Sequence, residues 1–384
     1  MSQHALRPAP GSPPRPGPPV EPATRHALLL SGSTGMGHDV LAQACAAWLE
    51  SVGWSTQTLD SMRLLGRSGG PAGESVFRAM LSVPGLFDAF HFAALRTGNR
   101  LADIVDSTAR RTILPRLKVH LDSRPPDLTI SVHATGASAI SMLNRNYPSM
   151  RHVVFCTDVT PHRLWVQPSV DLYLVTSAVA EQAVRRFQPR AHTLVVPTPL
   201  RAGFYDVPAQ PQARFRLGIP DSERCVLLMS GAWGIGPVAE AAEALGDAGV
   251  HVLAVAGLNS QLERKLRAAA RRQPLVHAFG FCDQIPALMA ASDLVITSSG
   301  DTCTEARTVG RPLLLLDVVQ GHGRDNLQHE LELGDAAVTS GRARDVVRSA
   351  LAALDHAKPP ALGPARSPDA WESAFGAALA TIGL

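Results

Sequence analysis

Short apolar runs alternate with longer amphipathic segments along most of this chain, and a cluster of prolines interrupts the alternation once. Apolar runs bounded by turn residues read as strands buried on both faces, and the segments between them read as the crossover helices of a parallel sheet. The first series predicts strands at His26–Leu30, Trp54–Leu59, Leu128–Val132, His152–Cys156, Val170–Thr176 and Thr193–Val196. Its helices fall at Val40–Val52 and Ala178–Phe187, with a flexible loop at Gly66–Gly73. Between that loop and the third strand, Glu74–Leu121 reads as mainly helical, interrupted near Pro84 and Pro115. Pro197, Pro199, Pro208 and Pro211 mark the break. The second series predicts strands at Cys225–Met229, Val250–Ala256, Val276–Phe279, Leu294–Thr297 and Pro312–Val319. Its helices fall at Val238–Ala248, Gln261–Arg272 and Ala343–Leu354, and a last helix covers Ala370–Ala380. Two such series predict an α/β protein of two Rossmann-like, doubly wound domains facing each other across a cleft. The expected boundaries are a disordered Pro-rich tail at 1–24, an N-terminal domain at 25–204, a C-terminal domain at 205–357 and a linker at 358–369.

At 384 residues the chain has room for two cores, and 45% hydrophobic with 18% charged residues is the composition of a globular protein. A formal charge of +3, without aromatic–basic interleaving, gives no reason to expect nucleic acid. The five cysteines lie scattered, mostly in apolar runs and without a C-x-x-C pair, as buried reduced thiols of a cytoplasmic protein would. No run approaches the ~20 apolar residues of a membrane-spanning helix. Prolines occupy the place where a signal peptide needs an apolar core.

The stretch from Asp293 to Asn326 holds one complete strand–turn–helix–strand unit. Its turn, Ser298-Ser299-Gly300, precedes a helix opened by Asp301 and Thr302 and carrying Glu305. Free N–H groups behind a small-residue turn suit a phosphate, and a carboxylate one turn further in suits a sugar hydroxyl. Together they point to a nucleotide-sugar. Two glycine loops follow the opening strands of the two series, SGSTGMGHD at 31–39 and SGAWGIG at 230–236. Neither is the G-x-G-x-x-G of dinucleotide binders, and a plain glycine turn is the competing reading of each. The first loop carries His38 at a helix N-terminus, where the dipole favours a neutral imidazole able to take a hydroxyl proton. The second offers Ser230, Gly231 and Gly234 as a phosphate or acceptor loop. At FGFCDQIP, residues 279–286, backbone groups of Phe281 and Cys282 could meet a base edge; an ordinary helix capped by Asp283 explains the segment nearly as well. Asp158 and His162, four apart in CTDVTPHRLW, lack a third metal ligand and with Trp165 better suit a cleft wall, so no metal is expected. The 74–121 stretch sets Phe77, Met80, Leu81, Leu86, Phe87, Phe90 and Phe92 beside Arg96, Arg100, Arg110, Arg111, Arg116 and Lys118. That pattern fits helices touching an anionic membrane surface, and it fits helices packed on a sheet.

Taken together, SGSTGMGHD, TDVTPHRLWVQPSVDLYLV, GFCDQIPALMAASDLVITSSGDTCTEA and the strand and turn after it resemble the monogalactosyldiacylglycerol synthase family of glycosyltransferases. These are relatives of the peptidoglycan N-acetylglucosaminyltransferase with the GT-B fold. The resemblance covers about Ala27 to Leu354. It implies His38 as catalytic base, with Gly35 and Gly37 beside the acceptor and diphosphate. Ser299, Gly300, Asp301 and Thr302 would meet the phosphates, Glu305 the ribose, and Phe281 the uracil ring. Asp158, His162 and Trp165 would border the acceptor cleft. The last helix, within 370–384, would cross back onto the first domain. One departure stands out. Where the family shows Gly-Gln-Glu ahead of an Asn, with Gln and Glu on the sugar, this chain reads Gly321-His322-Gly323-Arg324-Asp325-Asn326. His322, Arg324 and Asn326 are therefore candidates for a changed sugar contact.

The expected function is an inverting, metal-independent glycosyltransferase without a cofactor. It would move a sugar from a UDP-sugar to a lipid hydroxyl such as that of diacylglycerol, at the inner face of the cell membrane if the 74–121 stretch meets lipid. A catalytically altered member that binds a nucleotide-sugar, and a nucleotide-sugar epimerase, are the alternatives.

Overall fold

The computed structural model describes residues 25–32, 36–65, 100–319, 322–356 and 367–384. The proline tail, Gly35, the loop at Gly66–Gly73, the aromatic residues Phe77 to Phe92, Gly321 and most of the 358–369 linker lie outside them.

The first half contains β1 (His26–Ser31), α1 (Met36–Ser51), β2 (Ser55–Asp60), α2 (Arg100–Ser123), β3 (Leu128–Ser131), α3 (Ala134–Leu143), β4 (Arg151–Cys156), β5 (Leu172–Val175), α4 (Ala178–Phe187) and β6 (Thr193–Val195). The second contains α5 (Gln210–Leu217), β7 (Cys225–Leu228), α6 (Val238–Asp247), β8 (His251–Val255), α7 (Ser260–Arg272), β9 (Val276–Phe279), α8 (Ile285–Ala291), β10 (Leu294–Thr297), α9 (Asp301–Val309), β11 (Leu313–Asp317), α10 (His322–Glu332), β12 (Ala336–Ser340) and α11 (Ala343–His356). Helix α12 (Pro368–Ala380) ends the chain. Among the described residues the strands form two six-stranded sheets, ordered β2-β1-β3-β4-β5-β6 and β12-β11-β10-β7-β8-β9. Every pairing is parallel. The expected pair of Rossmann-like domains is what the chain forms.

Alternation along each strand explains the layering. Ala27 and Leu29 of β1 face Leu41, Cys45 and Leu49 of α1, while Leu28 and Leu30 face Ile113, Leu117 and Leu121 of α2. The central strands are buried throughout, so they read as unbroken apolar runs; the polar β2 and β12 lie at sheet edges. Helix α12 packs in the core of the first sheet through Trp371, Phe375, Ala378 and Leu379. Phe375 stacks on Trp371 at 5.0 Å and meets Trp48 of α1 edge-on at 5.1 Å. Each such aromatic side chain contributes roughly 1.5–3 kcal/mol by burial. Leu200 and Phe204, ahead of the boundary read after residue 204, already pack in the core of the second sheet.

Several local expectations change. Pro115 does not interrupt the helix but lies inside α2, whose apolar stripe is buried against β1. The described part of the basic stretch is thus a helix packed on the sheet. Helices α3 and α5 and strand β12 carry weak local signals and were not anticipated. In α3, ATGASAISML, the Thr, Gly and Ser residues of weaker helix propensity are held because most of the helix is buried. Of the five cysteines, four are buried, Cys282 is half-buried, and all are free thiols.

Candidate functional site

In an open parallel sheet, ligands bind beyond the carboxyl ends of the strands where the strand order reverses. That point lies between β1 and β3 in the first sheet and between β7 and β10 in the second. The loops leaving those four strands are where the sequence placed its glycine turns, with one exception, the loop after β3. The two sets meet in the cleft. Gly37 approaches Asp301 so closely that a Cβ at position 37 would collide with the Asp301 carboxylate.

The first-domain side is assembled from side chains. Helix α1 starts at Met36, ahead of the expected Val40, so His38 sits in its first turn. Its Nε2 lies 3.3 Å from Thr157 Oγ1, and its Nδ1 is buried without a hydrogen-bond partner among the described residues. The His38 imidazole packs edge-on against His133, ring centroids 5.0 Å apart. Burial holds the pKa of His38 below the ordinary imidazole value, against the opposing pull of Asp158, Asp301, Asp39 and Asp60. The neutral ring expected from the helix dipole therefore owes its state first to desolvation. His133 is pushed to about 3 by burial, with His38 adding to the effect. Asp158 accepts a hydrogen bond from Trp165 Nε1 at 2.8 Å, and its Oδ2 is 3.9 Å from His162 Nε2. Trp165 is not an open wall of the cleft. It is 2% exposed, packed with Val154, Cys156 and Tyr173, and it steadies Asp158.

The second-domain side is assembled mainly from main chain. Gly300 precedes α9, and no side chain caps the helix, so the amides of the first turn around Asp301 and Thr302 are left without a capping side chain. Ser299 Oγ is committed elsewhere: it donates to Gly323 O at 2.8 Å and ties the turn before α9 to the start of α10. Asp301 is open to cleft water yet enclosed by protein on both sides, and burial raises its pKa. Glu305, 13% exposed, is pushed up to about 7 by burial, although Arg201 Nη2 stands 3.6 Å from its Oε1. Ser230 is buried with an unpartnered Oγ among the described residues. Gly231 and Gly234 have φ of 59° and 57°, a left-handed turn that side chains resist, and a Cβ at 234 would run into Leu262. Phe281 is 52% exposed, an open ring on the loop before α8. Asp283 does not cap that helix; Gln284 holds the position, without a side-chain bond.

The altered turn has a steric basis. Gly323 is buried, and a Cβ there would collide with Val319, so the site has no room for the acidic side chain the resemblance leads one to expect. His322 opens α10, Arg324 is exposed in its first turn, and Asn326 keeps a buried Oδ1 unpartnered among the described residues.

Three residues escaped the sequence reading: His133, Thr157 and Arg201. His133 and Thr157 each follow a strand by one or two positions, which is the signal that could have found them. Neither stands in a glycine-rich loop. Arg201 lies among the hinge prolines, and only the fold sets it against Glu305. Among the described residues no group of three or more His, Cys, Asp or Glu side chains is placed to hold a metal, and no helix is long and apolar enough to cross a membrane.

Comparison with known proteins agrees with the motifs. The model of the monogalactosyldiacylglycerol (MGDG) synthase family matches residues 79–189. A probable chloroplastic monogalactosyldiacylglycerol synthase of Nicotiana tabacum is 28% identical over 335 residues, 80% of this chain and 60% of that protein. A processive diacylglycerol beta-glucosyltransferase of Bacillus pumilus (strain SAFR-032) is 32% identical over 199 residues, half of this chain and 51% of that one. The chain thus spans roughly half to two thirds of the length of these relatives. In fold it is similar to Acinetobacter baumannii MurG, with TM-score 0.56 and 15% identity over 93% of this chain and 99% of that one. A Listeria monocytogenes protein assigned as UDP-N-acetylglucosamine 2-epimerase superposes with TM-score 0.61 at 14% identity, over 94% and 97% of the two chains. The two-domain arrangement is that of GT-B glycosyltransferases.

Proposed function

We propose that this chain, a relative of the monogalactosyldiacylglycerol synthases with a GT-B fold, is an inverting glycosyltransferase that moves a sugar from a UDP-sugar to the hydroxyl of a lipid acceptor such as diacylglycerol. The observation that carries the reading is the close approach of Gly37, beside His38, to Asp301 at the head of α9. A neutral imidazole in the first domain thereby stands across the cleft from a helix N-terminus suited to a diphosphate.

In this scheme the acceptor hydroxyl enters between His38 and the donor. His38 takes the hydroxyl proton as the acceptor oxygen attacks the anomeric carbon from the face opposite the diphosphate. The bond from that carbon to the diphosphate oxygen breaks, and UDP leaves with the electron pair. Charge developing on the diphosphate meets the amides at the head of α9 and the turn at Gly231–Gly234, positioned before the reaction begins. Glu305 accepts from ribose hydroxyls, and Phe281 offers its ring to the base. The mechanism calls on no metal and no cofactor. Contact of the 74–121 stretch with an anionic membrane would bring the acceptor to the cleft.

Gly323 favours a second reading. Without a carboxylate at that position, the chain could hold a nucleotide-sugar and transfer nothing. Incubation with UDP-sugars and diacylglycerol in mixed micelles decides between them. Acceptor-dependent release of UDP supports transfer; binding of the donor with no release in the presence of acceptor supports the binding-only reading. Conversion of the donor to its epimer without any acceptor would establish the epimerase instead.

A further inference from the structure

His133 takes no direct part in the chemistry above, yet its ring is what His38 packs against. Three contacts lock it. It stands at the N-cap of α3, where Nδ1 accepts the Thr135 N–H at 3.3 Å, which sets the ring's rotation and leaves the proton on Nε2. Gly32 presses on it from behind, close enough that a Cβ at 32 would fall within 2.6 Å of its Cδ2. Ser61 Oγ lies 3.4 Å from the same Nδ1 and 2.7 Å from Ser31 O, so its hydroxyl can donate to either acceptor and closes that edge. On the open side the ring meets His38 at an interplanar angle of 78°, with Trp165 beyond at 6.4 Å.

We propose that His133 is a positioning residue for His38: its ring, locked at the head of α3, is the water-excluding wall that fixes the His38 imidazole and keeps it in the form that accepts a proton.

The physical argument is a balance. The charged groups acting on His38 are Asp39 on its own helix, Asp60 at the end of β2, Asp158 on the loop after β4, and Asp301 at the head of α9. All four are carboxylates that favour the imidazolium, and burial outweighs them. A side chain that supplies the burial therefore decides the state of His38. Once that wall is removed, water enters, the desolvation falls and the carboxylates prevail. The part of the proposal that concerns turnover rests on His38 as base; the part that concerns the state of the ring does not.

Two variants separate the wall from the helix cap. Asn is a good N-cap, so His133→Asn keeps the cap and removes the ring. His133→Phe keeps a ring and loses the cap. The imidazole of His38 is titrated by ¹H–¹⁵N NMR in the full chain without substrate, and kcat/KM is followed against pH with UDP-sugar and acceptor. In H133N the His38 midpoint should rise by roughly one pH unit or more, and the ascending limb of kcat/KM should move with it, lowering kcat/KM about tenfold on the acid side of both midpoints. In H133F both should stay near their wild-type positions while Tm falls. An unmoved midpoint in H133N, or equal shifts in both variants, overturns the proposal. Should H133N fail to fold, His133→Ser, which keeps a side-chain oxygen at the N-cap and also removes the ring, should shift the midpoint in the same direction. His38→Ala run alongside keeps the two ideas apart. Full turnover in H38A rejects His38 as base, while the NMR titration still judges the wall.

Discussion

The two walls of the cleft are made differently. On the first-domain side the working atoms belong to side chains drawn from separate strand ends: His38 after β1, His133 after β3, Thr157 and Asp158 after β4. The two imidazoles are half-buried and packed edge-on against each other, and burial is the first cause that lowers the pKa of each. On the second-domain side the working atoms are mostly backbone amides at the head of α9 and in the left-handed glycines after β7. In the proposed reading a ligand there would be met by dipoles already oriented, with Glu305 and Phe281 adding side chains. The contrast teaches a division of labour. A diphosphate needs donors in fixed directions, which main chain supplies cheaply; a proton acceptor needs a tuned environment, which only tertiary packing supplies.

Substitutions can test that division. The largest effect is expected on the side-chain wall. His38→Ala should lower kcat by about 10²–10⁴ with the dissociation constant for UDP-sugar nearly unchanged, by turnover and calorimetry side by side. A matching loss of donor affinity would mean that the two walls do not divide the work. Next comes the one deep carboxylate of the donor wall. Glu305→Gln should weaken UDP-sugar binding by roughly 10–150-fold, the range of a hydrogen bond to a charged group, with little further change in kcat at saturation.

The same residue gives the donor wall its pH dependence. Glu305 is held at about 7, above its ordinary carboxylate value, because burial outweighs Arg201. It is therefore protonated below that value, and affinity gained from an ionised acceptor is present above it and lost as pH falls. UDP-sugar binding should weaken by up to about tenfold per pH unit below 7 and become flat in E305Q. A UDP-sugar is the right probe, because the terminal phosphate of UDP itself titrates in that window. A pH-independent wild type would remove Glu305 from the donor site. The smallest effect is expected at the exposed ring: Phe281→Ala should cost about 0.5–1.5 kcal/mol of donor affinity and leave kcat alone. Equal affinity in this variant would take Phe281 out of base recognition.

Legibility followed the same division. The strand–turn–helix unit around Ser299–Glu305 could be read directly, because a helix N-terminus behind a small-residue turn is specified by adjacent residues. His38 could be read for the same reason, as could the paired sheets, since buried parallel strands leave unbroken apolar runs such as Leu28–Leu30 and Leu314–Leu316. What the sequence did not disclose depends on contacts between distant positions. The ATGASAISML segment mixes helix-favouring Ala, Met and Leu with Thr, Gly and Ser and is buried on most sides, so it carries no amphipathic pattern, and α3, with its cap residue His133, could not be seen. Trp165 read as a cleft wall because an aromatic after a polar turn looks the same in sequence whether it faces solvent or the core. The change at GHGRDN could be seen; its cause, Val319 filling the space beside Gly323, could not.

The sequence alone therefore determined the two parallel sheets, the small-residue turn ahead of α9 and the place of His38 at the head of α1, each written in residues that are neighbours in the chain. Only the tertiary structure decided what surrounds the base. Strand order sets the end of β3 beside the end of β1, bringing His133 to His38, and the meeting of the domains sets Asp301 against Gly37. The state of His38 is the clearest case. Its own helix could be read as favouring a neutral ring, but the larger cause is the water excluded by groups distant in sequence, and desolvation belongs to the packed molecule rather than to any stretch of it.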